Sequence, residues 1–114
     1  MALMFKTREA GAVTVVDLSG TITMGEDAKA LQAGVDMLLC AGIRKIVLNL
    51  EEVTSIDSSG LGELMSAHTA VKDLGGELKM IHLTHKVRDL LVITKLATVF
   101  DVQEDEAAAV ASFA

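Results

Sequence analysis

The sequence contains few of the residues from which disulfides, metal clusters or base-stacking surfaces are built. Its 114 residues include one Cys, three Phe, no Trp, no Tyr and no Pro. A single Cys excludes an internal disulfide and any zinc site built on several cysteines, which fits a reducing compartment. The shortage of aromatic rings removes the stacking platforms that single-strand nucleic-acid binders use.

Positive charge and long apolar runs are also scarce. Ten Lys and Arg stand against 16 Asp and Glu, for a formal net charge of −6, so we expect no direct nucleic-acid partner. The apolar run 37–43 ends at Arg44 and is far shorter than the ~18–20 residues of a membrane-spanning helix. The first residues lack the basic-then-apolar order of a signal peptide. We therefore expect a cytoplasmic protein that has no membrane partner.

Aliphatic residues are what the chain has in abundance, since hydrophobic residues make up 51% of it. This fraction argues against intrinsic disorder and indicates a packed core. The length suits one domain, which we expect to span residues 1–114.

Hydrophobic periodicity predicts an initial β-hairpin followed by alternating helices and strands. The predicted elements are strands 3–8 and 12–19, a helix from Glu26 closed by Gly42, strand 46–50, a helix from Ser58 stopped by Gly75, strand 77–83, a helix capped by Thr84, a short edge strand 99–102 and a helix opened by 104–106. Glu51 and Glu52 are interpreted as a solvated turn. This order is typical of the α/β class, with a mainly parallel sheet and an antiparallel component from the hairpin.

The most informative segment, 53–62, joins the most apolar predicted strand to the second helix. Sites in open α/β sheets tend to form at the carboxyl ends of strands. Hydroxyls and glycines lie here beside amide groups that the first helical turn cannot pair internally, which suits an anion or a phosphoryl group on one of the serines. Asp57, Ser58 and Ser59 are equally good helix caps, and the residue types alone leave both interpretations open.

The residue types and their spacing exclude several more specific catalytic and binding motifs. A P-loop needs Gly-Lys, which occurs nowhere in the chain. A hydrolase elbow needs Gly two residues before the nucleophile, but Ile56 and Asp57 stand there. His82 and His85 lack the further ligands that zinc usually takes, so we expect neither metal nor cofactor. His68 is interpreted as a partly buried packing residue at the border of an apolar stripe, and Cys40 as a small core residue.

The heptad Ile-Asp-Ser-Ser-Gly-Leu-Gly at 56–62 resembles the signature of STAS-domain anti-sigma factor antagonists, the anti-anti-sigma factors of bacterial partner switching. The similarity also includes segments 18–20, 46–50, 75–78 and 96–100, and so covers nearly the whole chain. It implies the STAS fold, a single mixed sheet of four to six strands with helices packed mainly on one face.

The resemblance implies a phosphorylation-controlled binding module rather than an enzyme. Ser58 would be the phosphoacceptor of an anti-sigma factor that is also a serine kinase, and a PP2C-type phosphatase would remove the phosphate. The unphosphorylated form, a monomer or weak dimer, would bind the anti-sigma factor and release its sigma factor. The expected partner-binding residues are Thr23, Met24, Asp57, Ser58, Ser59, Gly60, Leu61 and Gly62.

One departure from the family pattern concerns Thr23, which stands where the family often has Asp near the phosphorylated serine.

Two other functions stay open. The chain could be a STAS docking subunit of a lipid-transport or stress-sensing complex that has no phospho-switch. A small hydrolase using Ser58 or Ser59 with a histidine ranks lowest, because the sequence offers no matched acid–base pair.

Overall fold

A computed structural model describes residues 3–23, 26–96 and 98–113 of the chain. Its elements follow the predicted order of a hairpin and then alternating helices and strands. They are β1 Met4–Ala10, β2 Val13–Ile22, α1 Glu26–Cys40, β3 Lys45–Ile56, α2 Ser58–Asp73, β4 Glu77–Ile81, α3 His85–Ile93, β5 Asp101–Gln103 and α4 Glu106–Ser112.

The five strands form one mixed sheet in the order β1-β2-β3-β4-β5. β1 and β2 are antiparallel and are joined by a tight turn at Gly11, whose φ of 65° suits glycine. The other three pairs are parallel. The strand number and the mixed character confirm the predicted α/β architecture.

β3 is longer than predicted, and the interpretation of Glu51 and Glu52 as a turn was wrong. Both are exposed residues within the strand, which continues to Ile56 and pairs with the last residues of β2. The register with β2 is irregular here, and the side-chain oxygen of Asn49 accepts a hydrogen bond from the Glu51 amide at 3.1 Å. This irregularity interrupts the apolar pattern, which is why the pattern predicted an early end to the strand.

The helices cover the two faces of the sheet unequally, as predicted. α1, α2 and α3 pack on one face, where the fully buried side chains include Val16, Leu18, Leu31, Leu48, Leu64 and Leu91. A smaller cluster on the other face places Val15, Val47 and Ile81 against Ala109 of α4.

The helix ends follow local sequence signals. Gly42 and Gly75 both take positive φ just past α1 and α2, where their amides close the last turns. The Thr84 hydroxyl accepts from the Val87 amide at 3.4 Å, so the predicted cap of α3 is confirmed. Among the described residues, no helix is both long and apolar enough to cross a membrane.

Candidate functional site

The segment after β3 turns into α2 at Asp57. This residue is extended (φ −114°, ψ −176°), and its Oδ1 accepts from the Gly60 amide at 2.8 Å. The Leu61 amide donates to the Asp57 carbonyl at 2.9 Å and begins the helical hydrogen-bond ladder. Asp57 is therefore the N-cap of α2, which confirms the capping interpretation of this residue.

Gly60 packs against the end of β2. A Cβ atom on Gly60 would lie 1.8 Å from the carbonyl oxygen of Ile22, a separation that no side chain can occupy. The Asp57 amide also donates to this carbonyl, at 3.4 Å. The first turn of α2 is thus held against β2 by backbone contact, which fixes the position of the neighbouring serines.

Gly62 has the opposite surroundings. A Cβ atom there would meet nothing within 4 Å, and the residue is exposed. Packing within the described chain therefore gives no reason for a glycine at this position. Ser58 and Ser59 are also exposed, four and three residues before Gly62, so the three lie on one side of the helix. We call Ser58, Ser59 and Gly62 the α2 patch.

The other predicted partner-binding residues that the structure describes are more buried than the α2 patch. Leu61 is 3% exposed and belongs to the main core, and Gly60 is buried as well. Thr23 is half-buried after β2, where its carbonyl accepts from the Ala28 amide at 3.2 Å. Met24 lies outside the described residues. The structure thus brings Thr23 and the α2 patch to the same region through the contact of Gly60 with β2.

Glu63 was not singled out from the sequence. It follows the α2 patch directly, and its Oε2 is buried without a hydrogen-bond partner in the part of the chain that the structure describes. A carboxylate four residues after Ser59 lies on the same side of the helix and adds negative charge near the patch. The i, i+4 spacing from Ser59 was the signal available in the sequence.

The remaining candidates lie elsewhere. The His68 ring contacts Phe100 edge-on at 5.6 Å between ring centroids, and burial and the charge of Lys72 lower its pKa. The expectation that Cys40 is a core residue was wrong. As the last residue of α1 it is exposed, because Leu38 and Leu39 occupy the buried positions. No group of three or more His, Cys, Asp and Glu within the described ranges could hold a metal ion.

The STAS domain model matches residues 4–109 of the chain. The protein belongs to the STAS domain family. A relative of this STAS domain is BtrV of Bordetella bronchiseptica, which is named as a candidate anti-sigma factor antagonist. It is 29% identical over 87 residues, which cover 76% of this chain and 75% of BtrV.

Two solved structures have folds similar to that of this chain. A candidate anti-sigma factor antagonist from Thermotoga maritima has a TM-score of 0.86 at 25% identity, covering 94% of this STAS domain and 92% of that chain. The phosphorylated form of the Bacillus cell fate determinant SpoIIAA has a TM-score of 0.72 at 17% identity, covering 96% and 100%. The likeness to SpoIIAA shows a shared fold, and the five-stranded sheet with four helices is the STAS fold that the heptad predicted.

Proposed function

We propose that this STAS domain is an anti-sigma factor antagonist whose binding is switched by phosphorylation of Ser58. The observation that carries the proposal is the placement of Ser58, exposed at the first position of α2 directly after the capping Asp57. The similarity to BtrV and to the Thermotoga protein supports an anti-sigma factor as the partner.

The N-terminus of α2 suits a phosphoserine. Two of its amides are already engaged, since the Gly60 amide binds the Asp57 side chain and the Asp57 amide binds β2. The amides of Ser58 and Ser59 have no acceptor within the helix, and the helix dipole favours negative charge there. A phosphate on Ser58 would be held locally, so the fold need not change.

The same phosphate would block a docked partner. It adds about −1.5 to −2 charges and three acceptor oxygens beside Asp57 on an acidic chain. The unphosphorylated form would dock an anti-sigma factor on the α2 patch and release its sigma factor. Such a partner would carry the serine kinase activity, and a PP2C-type phosphatase would reverse the reaction. The STAS domain itself would perform no catalysis and would act in the cytoplasm as a monomer or weak dimer.

The proposed binding residues have different roles. Ser58, Ser59 and Gly62 would contact the partner, whereas the buried Gly60 and Leu61 would position the helix beneath them. Thr23 and Met24 would border the contact area, together with Asp57. Thr23 has a hydroxyl group but no charge. It would therefore not repel the phosphate, as an Asp at this position would.

The test is a phosphorylation assay with the purified anti-sigma kinase encoded nearest to this gene and with ATP. Intact-mass measurement should show one added phosphate on the wild type and none on Ser58→Ala. Ser59→Ala is the matched control and should still accept one phosphate. If phosphate is added to another residue or to none, the switch is wrong, and a docking subunit without a phospho-switch becomes the better account.

A further inference from the structure

A cavity of about 370 Å³ lies at the other end of α2 from Ser58, between that helix, the start of β4 and the segment before β5. His68 lies ten residues after Ser58, about 15 Å further along the helix axis. The cavity is therefore separate from the α2 patch. The side chains that matter among those lining it are His68, Lys72, Glu77, Leu78, Val99 and Asp101.

The helix side of the cavity carries a cation and a neutral imidazole. Lys72 lies four residues after His68 and so on the same face of α2. Its ammonium group has no ion pair or hydrogen bond among the residues that the structure describes. The Nδ1 atom of His68 is buried and has no hydrogen-bond partner in that part of the chain either. Because the lowered pKa keeps this ring neutral at pH 7, Lys72 supplies the positive charge of this side.

The strand side of the cavity carries negative charge. Asp101 is already engaged, since it accepts from Lys79 at 2.5 Å and from Gln103 at 2.6 Å. The exposed Glu77 carboxylate has no ion pair or side-chain hydrogen bond within the described residues. Glu77 is therefore the carboxylate available to a ligand.

An apolar surface completes the cavity. Val99 supplies this surface, since it is 40% exposed, whereas the neighbouring Leu78 belongs to the main core. A ligand with one charge would leave either Lys72 or Glu77 beside it without a counter-charge, and that loses the advantage of a charge-assisted hydrogen bond. We propose that this cavity binds a small zwitterion, an α-amino acid with an apolar side chain, with its carboxylate on Lys72 and its ammonium group on Glu77.

The test uses the ¹⁵N-labelled full chain and leucine as the probe, followed by the amide signals of Gly75 and Gly76 and the ring signals of His68. Leucine should give saturable shifts at millimolar concentrations. Two analogues separate the charges, since 4-methylpentanoate lacks the ammonium group and 3-methylbutylamine lacks the carboxylate. Each should bind about tenfold more weakly or worse, because one hydrogen bond to a charged group is lost.

Variants identify the residues involved. Lys72→Gln and Glu77→Gln change exposed positions, so the fold should be kept, and each should weaken leucine binding about tenfold. Lys29→Gln on the exposed side of α1 is the matched control and should bind as the wild type does. The proposal is contradicted if leucine gives no saturable shift, if one analogue binds as tightly, or if both cavity variants bind normally. None of these results bears on Ser58.

Discussion

At the scale of single residues, Gly60 and Gly62 stand two positions apart in α2 and have opposite surroundings. A side chain on Gly60 would collide with the Ile22 carbonyl, whereas one on Gly62 would extend into open space. Glycine in a helix interior is less stable than alanine by roughly 0.5–1 kcal/mol. Gly60 thus serves the fold of the chain, whereas packing among the described residues gives no reason for Gly62, and the proposed contact with a partner would supply one.

These surroundings predict opposite effects on stability. Gly60→Ala should lower the free energy of unfolding by about 1–3 kcal/mol, because α2 must move away from β2. Gly62→Ala should raise it by up to about 1 kcal/mol. Urea denaturation of both variants measures the two values.

The binding of Gly62→Ala carries the functional part of this prediction. If an anti-sigma factor packs on the α2 patch, the more stable variant should bind it more weakly. A Gly62→Ala protein that is more stable and binds with unchanged affinity would remove Gly62 from the proposed contact area.

Asp57 is the N-cap of α2 and also carries a negative charge. Two variants separate the contributions of the cap and of the charge to stability. Asp57→Ala should lower the free energy of unfolding by about 1 kcal/mol, because the Gly60 amide loses its acceptor. Asp57→Ser keeps a capping oxygen without the charge and should remain close to the wild type in stability. Equal losses in urea denaturation of the two variants would show that the charge, rather than the cap, stabilises α2.

At the scale of elements, Arg8 of β1 joins the sheet to the start of α4. It donates to Asp17 of β2 at 2.7 Å and also binds Glu106. Hydrogen bonds from Arg8 hold the pKa of both carboxyl groups below their ordinary values. The three side chains are partly exposed, so solvent screening keeps the contribution of these ion pairs to at most about 1 kcal/mol.

This network predicts a pH dependence. A carboxyl group with a lowered pKa in the folded state stabilises the fold above its ordinary pKa and loses this contribution as the pH falls through the lowered value. Arg8→Gln should therefore be less stable than the wild type at pH 7, and the difference should shrink below about pH 4. Urea denaturation at several pH values measures this, with the exposed Arg88→Gln as the matched control. A constant difference at all pH values would contradict it.

The elements also differ in how well the sequence predicts them. α2 and α3 have apolar stripes at helical spacing and begin at capping side chains, so their type and their first residues could be predicted. The distal half of β3 could not, because two adjacent glutamates and a register irregularity at Asn49 interrupt the alternation of the strand. The pairing of this half of β3 with the end of β2 joins residues that are far apart in the sequence.

At the scale of the whole molecule, the sequence indicates which residue types form the candidate site, but it does not indicate which distant parts of the chain those residues contact. Residue types make Asp57 one of three candidate caps of α2, but the contact of Gly60 with Ile22 joins positions 38 apart in the chain. The buried position of Leu61 likewise depends on how α2 packs on the sheet. The cavity beside His68 exists because α2, β4 and the segment before β5 meet, which no local pattern encodes.

The central claim about the whole molecule is that one phosphate on Ser58 decides whether the partner stays bound. The most direct measurement is the affinity of the anti-sigma factor for the unphosphorylated and the singly phosphorylated protein, by isothermal titration calorimetry. Phosphorylation should weaken binding by about thirtyfold or more, because a partner docked on the α2 patch would bury the charged phosphate without a counter-charge, which costs several kcal/mol. Equal affinities of the two forms would contradict the account.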